Sequence, residues 1–146
     1  MSKSLNLFWW YWLIGVTAGV VGFGLALVFI PNLMHRFYSW WFFSASKTNA
    51  SLSDPATAYL AFTYGVLGAV MVGWAVALFA FLLGPFRRGE REGWYSLTFS
   101  IIIWFGLDSV LSLVAGFFEN AILNAVFLLL FAVPLGATYR YFRYKP

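Results

Sequence analysis

From Trp94 to Phe117 the chain reads WYSLTFSIIIWFGLDSVLSLVAGF, an apolar stretch with a single carboxylate, Asp108, well inside it. About 20 apolar residues in a helix cross the hydrocarbon core of a bilayer. No water is present there, so a spanning segment must satisfy its own backbone hydrogen bonds. An ionisable side chain at that depth costs about 2.5–3.5 kcal/mol on insertion scales and normally faces protein or a wet cavity. The rest of the chain can be placed around this carboxylate.

Three more apolar runs accompany it. Of the 146 residues 62% are hydrophobic and only 10% charged, with a mean hydropathy of +0.81. A soluble domain of this size could not hide that much apolar surface. The expected class is therefore all-α, a four-helix transmembrane bundle built by residues 1–146 as a single domain. The spans are expected at about 8–30, 56–83, 94–116 and 121–138. The first run exceeds the apolar core of a signal peptide and is read as a retained span.

Prolines and glycines punctuate the runs. Pro31 should end the first helix. Ser53-Asp54-Pro55 has the form of a helix start, with an N-cap followed by Pro at the first helical position. Gly84-Pro85 should stop the second helix before the charged connection FRRGERE. Pro134 should bend the fourth helix or release a backbone carbonyl. Between the first two spans, NLMHRFYSWWFFSA is too short and polar to cross. It is expected to be an aromatic interfacial segment in the headgroup layer. There His35 and Arg36 read as lipid-phosphate or solvent contacts, and Asn49 as a chance glycosylation match.

Charge sets the orientation. Four spans put the N-terminus, the FRRGERE connection and the C-terminus on one side, with seven of the nine Lys and Arg. The positive-inside rule then makes both termini cytoplasmic. This topological use accounts for the net charge of +4 better than nucleic-acid binding does.

Two features suggest packing. Gly15, Gly19 and Gly22 form a small-residue face on the first span. On the second, Gly65, Ala69 and Gly73 belong to a ladder of small residues at every fourth position. Such faces let helix backbones approach closely in lipid.

One constellation could carry chemistry. Asp108 lies eight residues from the outer end of its span, about 12 Å below it. Asn124 on the returning helix, Tyr64 and Thr63 on the second span, and Ser112 and Trp104 one turn either side are expected at similar depth. These six residues read either as a hydrogen-bond network that sets helix register or as a polar pocket in the outer half of the bundle. Catalytic templates fit badly: no second buried carboxylate, no Ser-His-Asp set and no phosphate loop accompany it. With no Cys and one His, neither a metal site nor a cofactor is expected.

The first span ending in FIP, the second span AFTYGVLGAVMVGWAVAL and the close third and fourth spans resemble small four-span membrane proteins of the DoxX-like group. The resemblance implies a fold and a bacterial inner (cytoplasmic) membrane, with little about activity. The expectation is a small integral membrane protein, non-enzymatic, either accessory or ligand-binding through a pocket at Asp108. Its partners would be membrane lipid, an apolar small molecule, or copies of itself. The alternative is a subunit of a larger membrane complex, and a small transporter or membrane enzyme comes third.

Overall fold

The computed structural model describes residues 6–43 and 54–143. It is helical throughout, with α1 (Leu7–Phe29), α2 (Pro31–Phe43), α3 (Asp54–Phe81), α4 (Arg91–Val114) and α5 (Phe118–Arg143). A π-type turn, Leu82–Phe86, prolongs α3. Four of these segments, Leu7–Phe29, Pro55–Phe86, Arg91–Val114 and Phe118–Arg143, are long and apolar enough to cross a membrane. Only 22–28% of each apolar window is buried, so most of their surface is left for lipid or for other helices. The chain has the make-up of a small integral membrane protein.

The contacts divide the chain into two compact units, Met1–Ala18 with Val76–Pro146, and Gly19–Ala75. In the first unit, both helix connections are closed by the same device. Gly89 has φ 75°, while Glu90 N–H donates to the Pro85 carbonyl and Gly89 N–H to that of Phe86. Gly116 has φ 81°, while Phe117 N–H donates to the Ser112 carbonyl and Gly116 N–H to that of Leu113. Each pattern is a Schellman motif, which satisfies the last carbonyls of a helix and needs a left-handed residue just past its end. Gly is the residue that adopts that conformation without strain.

These motifs shift the expected boundaries. Gly84-Pro85 does not stop the helix outright: Gly84 leaves helical geometry (φ −94°, ψ −107°), the turn widens, and helical backbone resumes up to Arg88. The stop is Gly89. α4 begins at Arg91 rather than near residue 94, and Glu92 in its first turn complements the helix dipole. α5 continues to Arg143, taking in most of the tail expected to follow it. Arg91 fastens that end by donating through Nε to the Phe142 carbonyl (3.1 Å) and through Nη2 to that of Arg143 (3.0 Å). The proposed N-cap Ser53, Asn49, Lys3, Lys47 and Lys145 lie outside the described residues.

Tryptophan indoles brace the same unit. Pro134 has no amide hydrogen, so the Leu130 carbonyl loses its helical donor. Trp12 Nε1 donates to that carbonyl at 3.0 Å. Trp10, buried, donates to the Leu82 carbonyl in the widened turn at 2.9 Å, and Trp94 to the Leu135 carbonyl at 3.0 Å. Two of these three indoles thus donate where a helix is irregular, at the widened turn and at the carbonyl freed by Pro134.

In the second unit, the backbones of α1 and α3 approach closely at Gly24 and Gly68. A Cβ on Gly68 would collide with the Gly24 carbonyl oxygen and lie 2.9 Å from the Cβ of Leu27. The small-residue faces singled out from spacing are turned elsewhere. An added Cβ at Gly15, Gly19, Gly22, Gly65 or Gly73 meets nothing within 4 Å, and Ala69 is exposed. A four-residue repeat marks a smooth face, but Leu27, Val28, Met71 and Val72 decide where the contact falls by filling the space beside the glycine pair.

Pro31 begins α2 after a break at Ile30. The aromatic segment is thus helical up to Phe43. Tyr38 is its centre, stacked on Tyr64 (5.6 Å) and Phe42 (5.4 Å), with its edge to Phe23 (6.4 Å).

Candidate functional site

The Schellman turn at Gly116 folds α5 back on α4 and brings Asn120 opposite Ser112, each four residues from Gly116. Asp108 and Ser112 share a face of α4, being four residues apart. The three side chains form a closed set. Asn120 Nδ2 has two hydrogens and donates to Asp108 Oδ1 (3.0 Å) and Ser112 Oγ (2.7 Å). The Ser112 hydroxyl has one hydrogen. It faces the Asp108 carbonyl oxygen at 2.6 Å and Oδ1 at 3.3 Å, and the shorter contact takes it. Asp108 and Asn120 are half-buried and Ser112 is buried. Among the described residues Asp108 Oδ2 accepts no hydrogen bond.

This cluster differs in membership from the expected one. Asn124 is buried, but its Nδ2 faces Ser109 Oγ at 3.5 Å instead of Asp108. Ser109 follows Asp108 and is turned about 100° round the helix, onto the side that faces Asn124. Asn120, outside the expected set, supplies the contact to the carboxylate. Its signal was its distance from the turn. Trp104 is half-buried on α4. Thr63 is exposed and its hydroxyl donates within its own helix, to the Tyr59 carbonyl at 2.9 Å.

Tyr64 belongs to the second unit, where it meets His35. Its hydroxyl lies 3.4 Å from His35 Nδ1. Together with Pro31, Asn32, Thr57 and Leu60 they line an open cleft with a cavity volume of about 20 Å³. A single water needs about 10–15 Å³ and two or more polar partners, so the cleft suits one water or the tip of a larger group.

Chemically, the Asp108 cluster can hold a proton or accept a hydrogen bond at Oδ2. It has no second titratable member, so it supplies no acid–base pair. Among the described residues no three His, Asp or Glu are grouped for a metal ion. Compared with protein-family models, curated proteins and solved structures, the chain finds no match.

Proposed function

We propose that the chain is a non-enzymatic accessory protein of a bacterial cytoplasmic membrane, with both termini cytoplasmic, acting through association with other transmembrane helices. The observation that carries this reading is the division among the glycines. One pair, Gly24 and Gly68, serves the internal contact of its unit, while the more extensive faces at Gly19, Gly22, Gly65 and Gly73 are left open. In lipid, apolar area gives no drive for helices to meet, whereas small residues that let backbones approach do. The occupant of such a face is another transmembrane helix, from a second copy or from a different subunit. In this arrangement α2 lies in the outer headgroup layer, where its exposed Trp40 suits an interface.

Native mass spectrometry of gently extracted protein tests the proposal. The parent should travel with a second copy or another polypeptide. Gly73→Leu should lose that partner while the extracted chain melts as the parent does. A parent that carries lipid alone would sink the reading.

A second reading rests on the open Oδ2 of Asp108. An intramembrane carboxylate with an uncommitted oxygen can anchor the hydrogen-bonding head of an apolar molecule. A small-molecule mass retained by the parent and lost from a folded Asp108→Asn variant supports this pocket.

A further inference from the structure

We propose that Arg87 binds the phosphate of an anionic phospholipid headgroup, on a platform made by Trp10 and the widened turn at Leu82. The inference requires a membrane-embedded chain and is independent of whether the small-residue faces find a partner.

Three arginines occupy the FRRGERE connection, and the structure gives them different work. Arg88 pairs with Glu90 through both Nε and Nη2. Arg91 closes the end of α5 through two carbonyls. Arg87 alone lies over a ring face, its guanidinium 4.9 Å from the centre of the Trp10 indole. This cation–π contact is the one interaction the Arg87 guanidinium makes among the described residues, and it occupies no hydrogen-bond acceptor. The edge that matches two phosphate oxygens therefore stays available, and Arg87 is exposed.

The platform itself is fixed. Trp10 is 6% exposed, and its Nε1 hydrogen bond to the Leu82 carbonyl prevents the indole from turning. Gly84 opens the helix so that this carbonyl can be reached. A guanidinium held over a fixed ring face is partly pre-positioned before any ligand arrives, which lowers the cost of binding.

Position identifies the source of the phosphate. Arg87 is the first residue after the apolar segment Pro55–Phe86, and Trp10 lies in the first turn of the segment Leu7–Phe29. Both fall at the edge of the hydrocarbon, where lipid phosphates are concentrated. Neighbouring charge favours an anionic lipid. Arg87, Arg88 and Arg91 outnumber Glu90 and Glu92 in the connection, and Arg91 brings the end of α5, with Arg143, to the same place. Basic groups between spans at a membrane face recognise anionic headgroups.

The test uses the whole chain in nanodiscs of equal phosphatidylglycerol and phosphatidylcholine, with native mass spectrometry of the lipids that stay bound. The parent should retain phosphatidylglycerol preferentially. Arg87→Gln should reduce that preference about fivefold, the usual size for one cation at a lipid surface. Arg87→Lys keeps the charge without the planar fork and should fall in between. Arg88→Gln combined with Glu90→Gln removes an ion pair of no net charge and should change the ratio by less than about twofold. A loss from this double variant equal to that from Arg87→Gln would overturn the site. Release of the lipid by millimolar inorganic phosphate would overturn its assignment to a headgroup. A parent with no preference overturns the proposal whatever the variants do.

Discussion

At the scale of single residues, Asp108 shows how far neutral partners can settle an intramembrane carboxylate. Asn120 and Ser112 face one of its oxygens and leave the other open. Asn in its place keeps the size and an oxygen acceptor but cannot ionise, whereas Leu removes both. As a register device the side chain tolerates the first change. Asp108→Asn should therefore melt in detergent close to the parent. Asp108→Leu removes one of the two acceptors of Asn120 Nδ2 and leaves Ser112 Oγ, a loss of about 0.5–1.5 kcal/mol on water-based measurements and less in lipid. Equal destabilisation by both variants would show that the charge itself is needed. Gly68 poses a sharper steric question, since an added methyl group collides with the backbone of Gly24. Gly68→Ala should cost about 1–3 kcal/mol through overpacking, while Gly73→Ala, facing open space, should leave the melting curve unchanged. A parental melting curve for Gly68→Ala would refute that packing.

At the scale of helices, α5 shows a proline defect matched by a donor from elsewhere. Pro134 frees the Leu130 carbonyl and Trp12 occupies it. The two residues should then be coupled. Trp12→Phe should destabilise the parent by about 0.6–1.5 kcal/mol, the range for such bonds in membranes and water. In a Pro134→Ala background the backbone supplies its own donor, and the same change should cost much less. Additive effects in chemical unfolding would rule out the coupling. This pair also marks the limit of what could be read from the amino-acid order. The four long helices were legible because each needs only an uncharged run of sufficient length, and the frayed boundaries moved by a few residues where Gly89 and Glu92 act. That Pro134 would release a carbonyl was legible too. Which side chain would occupy it was not, because Trp12 is 118 positions away and comes near only through tertiary packing. The same holds at Asp108. Its neighbourhood near the turn to α5 could be counted along the chain, but whether Asn120 or Asn124 faced it depended on helix rotation, which one residue changes by about 100°.

At the scale of the whole chain, the contacts within the first unit bear on orientation. Trp10 meets Leu82, Phe86 meets Phe142, and Arg91 meets the carbonyls of Phe142 and Arg143. The start of α1, the end of α3, the start of α4 and the end of α5 thus gather at one end of this unit, and five of the described arginines lie there or beside it. In the proposed topology that end is the cytoplasmic one, as the positive-inside rule expects. The chain has no native Cys, so single cysteines can report sidedness without background. Gly89 is a poor choice for this, because its positive φ would strain any other residue. Glu92 is exposed in the first turn of α4 and suits the purpose better. In intact cells Glu92→Cys and Lys145→Cys should be shielded from a membrane-impermeant thiol reagent and become reactive once the cells are opened. Ser46→Cys, in the connection between α2 and α3, should react from outside at once. Labelling of Glu92→Cys in intact cells would reverse the orientation. Labelling of both Glu92→Cys and Ser46→Cys there would mean that α3 does not cross, and the four-span arrangement would fall with it.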